Sequence, residues 1–222
     1  MLEARSLHKV YQQNANQLHV LKGIDLKIQK GDVLAIVGPS GAGKSTLLHI
    51  LGGLDQPTKG EVLFENQDVY RLKAAQRAKI RNLRFGFIFQ FYHLLPEFTA
   101  LENVILPALV KEDLKGMETW KSKGEELLDQ VGLKQRIQHK PNELSGGEQQ
   151  RVAIARAMVN HPEIIFCDEP TGNLDSASGQ AIIELLMDLN IKNKQTLVIV
   201  THDENIARRS HKIIRMKDGM LV

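Results

Sequence analysis

Gly38-Pro39-Ser40-Gly41-Ala42-Gly43-Lys44-Ser45-Thr46 sits between the apolar run Val33-Leu34-Ala35-Ile36-Val37 and a stretch with helical patterning. This nonapeptide fits the pattern G-x-x-x-x-G-K-[ST] in the strand-to-helix context that gives the pattern meaning. Glycines at 38, 41 and 43 let the backbone curl so that successive N–H groups face one anion. The helix that follows adds the positive end of its dipole, so the whole turn is suited to phosphate. Lys44 is placed to reach the β and γ phosphates of a nucleotide, and Ser45 to offer its hydroxyl to Mg²⁺. A chance glycine-rich turn is the alternative, but the flanking strand and helix argue against it. The pattern by itself does not say which nucleotide hydrolase this is.

A second element of the same chemistry is the strand-like run Ile164-Ile165-Phe166-Cys167-Asp168-Glu169, which ends in two adjacent carboxylates. A parallel α/β sheet places its ligands at this carboxyl edge. Successive strand side chains face opposite ways, so the two acids need not share a task. Asp168 is expected to hold Mg²⁺ opposite Ser45, which leaves Glu169 free to accept a proton from attacking water. An acid pair that only caps the next turn is the competing view.

The third element, Leu144-Ser145-Gly146-Gly147-Glu148-Gln149, precedes a helix beginning near Gln149. Ser145 has the chemistry of an N-cap, and Glu148 three residues later completes a possible capping box. Gly146 and Gly147 remove side chains from that helix start and leave N–H groups open to an anion. Two phosphate-binding helix starts do not easily wrap one small nucleotide within a single chain, which points to a second copy.

Working outward, the rest of the 222 residues read as one globular domain of ordinary composition, 42% hydrophobic and 25% charged, enough for a sizeable core. Lys and Arg exceed Asp and Glu by 29 − 26 = 3, and neither sign forms a long run, so charge gives no argument for nucleic acid. Neither a leader peptide nor a run of about eighteen apolar residues is visible, so the chain is expected to be cytoplasmic. A single cysteine, Cys167, excludes an internal disulfide and reads as a small apolar residue of a buried strand. Residues from Leu2 to about Tyr70 are mostly strands, with glycine turns near Gly31 and Gly60 and one helix after Gly43. From Lys73 to about Lys140 the pattern is chiefly helical, broken by the strand-like Phe85-Gly86-Phe87-Ile88-Phe89-Gln90 and a loop over Phe91 to Phe98. After Ser145, helices alternate with the strand-like runs of Ile164 to Glu169, Thr196 to His202 and Lys212 to Met216, which argues for a parallel sheet.

These motifs resemble the nucleotide-binding subunits of ABC transporters over essentially the whole chain. The resemblance implies an α/β P-loop NTPase of the ABC ATPase type, with a parallel-sheet core, an antiparallel β subdomain and a helical insertion. Residues 1–90 and 141–222 would form the nucleotide-binding core and β subdomain, and residues from about 91 to 140 the helical subdomain. It also implies a head-to-tail dimer sandwiching two ATP molecules, in which Ser145, Gly146, Gly147 and Glu148 of one copy face the γ-phosphate on Lys44 of the other. Tyr11 matches the aromatic residue that stacks on adenine. Gln90 matches the glutamine that touches Mg²⁺ or the attacking water and senses the membrane partner. His202 matches the histidine that contacts the γ-phosphate and holds Glu169 and water in line. Asp175 matches the loop that crosses the dimer interface, although by pattern alone Gly172 to Ser176 is a turn with an N-cap. With Glu169 present, an active ATPase is expected.

The aromatic stretch Gln90 to Val104 resembles that of lipoprotein-releasing ATPases of the LolD type more than that of MacB-type exporters. The motifs Gly52 to Val62, Leu144 to Pro162 and Asp168 to Ser176 are similar to both. LolD-type subunits act with two transmembrane permease subunits, which would dock near Gln90 to Val104. The resemblance therefore implies a peripheral protein on the cytoplasmic face of the bacterial inner membrane, powering release of lipoproteins. A MacB-like efflux or peptide exporter ATPase and a cell-division relative stand as alternatives. A soluble ABC ATPase without transport is a different class, against which the short insertion argues. Little chain follows Met216, so no regulatory domain is expected there. Ala42 and Cys167 depart from the commoner serine and alanine of the family without removing a needed group.

Overall fold

A computed structural model describes residues 1–13, 16–110 and 116–222. The amino-terminal part forms strands β1 (Leu2–Gln13), β2 (Asn16–Ile28) and β3 (Val33–Val37), helix α1 (Lys44–Leu51), and strands β4 (Lys59–Phe64) and β5 (Gln67–Asp68). Helix α2 (Ala74–Arg84), strand β6 (Phe85–Phe89) and helices α3 (Ala100–Leu109) and α4 (Met117–Gln130) follow. The remainder is α5 (Gly146–Met158), β7 (Ile164–Asp168), α6 (Ser176–Asn193), β8 (Thr196–Val200), α7 (Glu204–Arg209), β9 (Lys212–Lys217) and β10 (Met220–Leu221).

A six-stranded sheet in the order β10-β9-β3-β8-β7-β6 forms the centre, and all its pairings are parallel except β10 with β9. Strands β3, β7 and β8 are near-continuous apolar runs because both of their faces are covered. Side chains alternate across it with period two. Ile164, Phe166, Val198 and Val200 therefore pack with Leu47, Leu48 and Leu51 of α1 on one face. Ile165, Cys167, Leu197 and Ile199 pack with Val152 of α5 and Ile182, Ile183 and Leu186 of α6 on the other. Cys167 is fully buried there, and burial pushes its thiol well up from the ordinary range.

The smaller antiparallel sheet, β2-β1-β4-β5, lays Leu2, Ala4, Leu7, Leu21 and Ile24 onto the α1 side of the core. The stretch Glu61 to Tyr70 reads as one strand-like segment in sequence but folds as a hairpin. Glu65 and Asn66 turn at φ 49 and 66, the positive pair that a two-residue primed turn requires. Helices α3 and α4 add Leu101, Val104, Leu127 and Leu128 to the α5/α6 side, so the helical segment shares its core with the sheet.

The loop from Gln90 to Thr99 is irregular yet firmly held. Arg156 of α5 donates to the carbonyls of Tyr92 and His93 at 2.6 and 2.5 Å, and both of those residues have positive φ. Asn103, fully buried on α3, accepts from the Leu95 N–H at 2.8 Å and donates to the carbonyls of Leu95, Phe98 and Thr99. Thr99 caps α3 reciprocally with Glu102. Phe91, Leu95 and Phe98 consequently project from a fixed scaffold, and Phe91 is 69% exposed. Asn103→Ala should lower the unfolding free energy by about 2–3 kcal/mol, because buried backbone groups lose their partner. Denaturant titration checks this, and a change below about 0.5 kcal/mol would show that the loop holds itself.

Candidate active site

The Gly38–Thr46 turn links β3 to α1 under tight steric constraint. A Cβ at Gly38 would lie 2.2 Å from the Met216 carbonyl oxygen of β9, so only glycine fits against that strand. Gly43 has φ 97 and stands at the N-cap of α1, where no side chain satisfies the helix's first N–H groups. Those donors, with the positive end of the helix, face the concave side of the turn. Lys44 is largely buried, and its ammonium donates to the carbonyls of Gly38 and Pro39 at 2.9 and 3.1 Å.

Asp168 and Glu169 do separate, as alternation requires. Asp168 shares the α1 face with Phe166, and the Ser45 hydroxyl donates to its Oδ1 at 2.8 Å. His49, one turn after Ser45 on α1, places Nε2 3.6 Å from Asp168 Oδ2. The strand ends at Asp168 because Glu169 turns into the left-handed region at φ 47. There its Oε2 lies 2.9 Å from His202 Nδ1, just beyond β8, without the alignment of a full hydrogen bond. The strand of β8 likewise stops at Val200, two residues before His202. Gln90, immediately after β6, donates from Nε2 to Asn173 Oδ1 at 3.1 Å, and Asn173 returns a bond to the Gln90 carbonyl at 3.0 Å.

One cleft of about 760 Å³ is lined by Tyr11, by the turn from Gly38 through Lys44 and Ser45 to Thr46, and by Gln90, Glu169 and His202. Tyr11 pairs directly with Leu18 across the β1–β2 hairpin, and Leu18 and Val20 extend this apolar wall. Its hydroxyl donates to Asp55 Oδ2 at 2.5 Å, while the Lys9 ammonium reaches Asp55 Oδ1 at 2.6 Å and lies 4.6 Å above the Tyr11 ring. Partial burial, then the Asp55 acceptor, raise the Tyr11 phenol. Burial alone would raise the Asp55 carboxyl, but the bonds from Lys9 and Tyr11 outweigh it and hold Asp55 below the ordinary carboxylate range.

None of Leu144 to Gln149 lines that cleft. Ser145 caps α5: its Oγ accepts from the Glu148 N–H at 3.2 Å, and Glu148 Oε2 accepts from the Ser145 N–H at 2.8 Å. The Ser145 N–H and then Arg136, 2.9 Å from Oε1, hold the Glu148 carboxyl below its usual range. A Cβ at Gly146 would come 3.0 Å from the Tyr92 hydroxyl, and at Gly147 3.2 Å from Ser178, so the helix start is packed close on the 90s loop and α6. Asp175 caps α6, accepting from the N–H groups of Ala177 and Ser178. One chain thus gathers Tyr11, Gly38 to Thr46, Gln90, Asp168, Glu169 and His202, and holds Ser145 to Glu148 elsewhere. Sequence reasoning missed Lys9, Leu18, Val20, His49, Asp55 and Asn173. Only His49, at helical spacing from Ser45, carried a local signal.

Residues 21–172 match the family described as ABC transporter. The chain is 50% identical to the lipoprotein-releasing system ATP-binding protein LolD of Legionella pneumophila (strain Paris), covering all of this chain and 96% of that protein. It is also 50% identical to LolD of Acinetobacter baylyi, covering 100% and 97%. Among solved structures it superimposes with TM-score 0.92 on one chain of the ATP-binding cassette MJ0796, in a dimeric structure of a post-hydrolysis state bound to ADP and Pi. That cassette is 44% identical, and the match covers 100% of this chain and 96% of that one.

Because Asp55 is held below the ordinary carboxylate range, its contribution is full above that range and is lost as pH falls through its folded value. Asp55→Asn should therefore cost about 1 kcal/mol of stability at neutral pH, and the gap to the parent should close on acidification. Denaturant titrations over a pH series read this directly. A gap that does not change with pH would rule out the clamp.

Proposed function

We propose, given that this chain belongs to the ABC transporter family, that it is the ATP-hydrolysing subunit of a lipoprotein-releasing system. The chemistry rests on one observation: Ser45 bonded to Asp168, and Glu169 beside His202, at the mouth of a cleft floored by the Gly38–Thr46 turn. The cargo rests on similarity to LolD proteins along the whole chain. In this reading the backbone N–H groups from Gly38 to Thr46 and the Lys44 ammonium bind the phosphates of ATP, and Tyr11 stacks on adenine. Lys44 already points into the turn, so it exchanges carbonyl partners for phosphate oxygens without leaving its place.

The hydroxyl of Ser45, the carboxylate of Asp168 and the side-chain oxygen of Gln90 form a hard oxygen donor set that suits Mg²⁺. Among the described residues no cluster of three or more His, Cys, Asp or Glu competes for a metal, which fits an ion held mainly by phosphate and water. Such an ion, when bound, offsets the negative charge of the phosphates. Glu169 takes the proton of the attacking water, and His202 keeps that carboxylate in line and contacts the γ-phosphate. Gln90, tied to Asn173, reports on the loop that follows it.

The face formed by Ser145, Gly146, Gly147 and Glu148 completes the site of a second copy, and Asp175 lies along the shared interface. Support comes from its exclusion from the chain's own cleft and from the dimer of the MJ0796 cassette. Phe91, Leu95 and Phe98 on the clamped loop suit docking of two transmembrane subunits near Gln90 to Val104, with residues of about 91–140 as the docking subdomain. Among the described residues no helix is long and apolar enough to cross a membrane. Similarity to LolD proteins along the whole chain supports a location at the cytoplasmic face of the bacterial inner membrane, held by its partners.

Glu169→Gln should bind ATP as the parent does, lose roughly 100-fold or more in kcat, and elute as a dimer with ATP in size-exclusion chromatography. A monomer that turns over at the parent rate contradicts the scheme. Ser145→Arg should abolish turnover while the monomer's ATP affinity stays within about twofold. Loss of affinity in that monomer would place Ser145 in its own chain's site.

A further inference from the structure

Gln150 lies on α5, five residues after Ser145, and is fully buried. Its side chain crosses to the loop after β7, where Nε2 donates to the Pro170 carbonyl oxygen at 2.6 Å. A carbonyl only accepts, so the amide must present its nitrogen there. We infer that Gln150 is a positioning residue for hydrolysis: by gripping the Pro170 carbonyl it fixes the turn that aims Glu169. This rests on the proposed role of Glu169 as the base.

The argument runs through the geometry of that turn. Gly172 N–H bonds back to the Glu169 carbonyl at 3.0 Å, so Glu169 to Gly172 form a β-turn with Pro170 and Thr171 at its centre. Such a turn has two forms that differ by a flip of the central peptide, whose carbonyl belongs to Pro170. The flipped form requires positive φ at the third residue, and Thr171 is not among the residues with positive φ. Gln150 therefore bonds the one atom whose direction distinguishes the two forms. Glu169 depends on this because its φ of 47 is costly for a non-glycine residue and persists only where its surroundings enforce it. Its N–H is anchored to the Val200 carbonyl at 3.0 Å on one side, and Gln150 anchors the turn on the other.

Stability alone gives little reason for an amide here, because what its Nε2 gains at the Pro170 carbonyl is offset on its other side. Gln150 Oε1 is buried without a partner, a cost that an apolar side chain of similar volume avoids. Since α5 also carries Ser145 to Glu148, one rigid helix presents a face to the second copy and grips the turn of its own chain's base. Engagement of that face reaches Glu169 through a single hydrogen bond.

Gln150→Met and Gln150→Leu, with Glu169→Gln and the double variants, test this by steady-state ATP hydrolysis and thermal unfolding. Expected for each Gln150 variant is a roughly tenfold fall in kcat with KM for ATP within about twofold. Its Tm should stay within a few degrees of the parent's, because the Pro170 carbonyl loses its donor while the unpartnered Oε1 is removed. Adding either to Glu169→Gln should cause no further loss, because Gln150 acts through Glu169. An unchanged kcat, a loss of kcat that tracks a lower Tm, or full additivity with Glu169→Gln overturns the assignment. If Glu169→Gln alone hydrolyses ATP at the parent rate, the role of Glu169 has failed instead.

Discussion

Parallel, in-register pairing of β3, β8 and β7 is the constraint from which the site follows. Ile36 stands beside Val200, and Val200 beside Asp168, so three chain segments far apart in sequence end along one line. Beyond Val37, Val200 and Asp168 the three strands end and the chain turns. One turn becomes the glycine loop before α1, one carries Glu169, and one carries His202. Strand alternation then decides sides: Asp168 falls on the α1 face with Ser45, and Glu169, released by its left-handed turn, meets His202. Without the parallel register no single substitution would assemble these groups.

The same sheet sets the proposed second half of the active centre apart from the first. Helix α5 packs on the face opposite α1, so its amino-terminal end lies away from the glycine loop. Ser145 and Glu148 satisfy one another there, and Arg136 further fixes Glu148. A helix start so ordered before any ligand arrives needs little rearrangement to meet an anion from outside its own chain. An engine whose catalytic groups are complete only on closure converts nucleotide binding into relative movement of whatever is attached to it. The 90s loop, clamped by Arg156 and Asn103, offers the rigid attachment such a movement needs.

Much of this was legible in sequence, because the decisive signals are local. The glycine spacing of 38, 41 and 43 beside Lys44, the acid pair ending an apolar strand, and Ser145 with Glu148 three residues on all act within a few residues. What escaped is long-range. Lys9 and Tyr11 meet on Asp55, some 45 residues away, and Gln90 meets Asn173 across 83. No periodicity encodes such pairs, which exist only once the sheets are in register. The hairpin at Glu65-Asn66 was hidden for another reason: neither residue is the glycine that would mark a primed turn. Strand ends at Asp168 and Val200 were also misplaced, since backbone turning there serves the site and leaves no mark on hydrophobicity.

The central claim, that each catalytic centre is shared between two copies, is tested most directly by mixing two inactive chains. Ser145→Arg and Glu169→Gln chains, each without turnover alone, would form mixed dimers in which one centre has an intact Glu169 from the first chain and an intact Ser145 from the second. The account predicts that ATP hydrolysis reappears on mixing and scales with the mixed-dimer fraction. No recovery across all mixing ratios, with mixed dimers demonstrably formed, would contradict it.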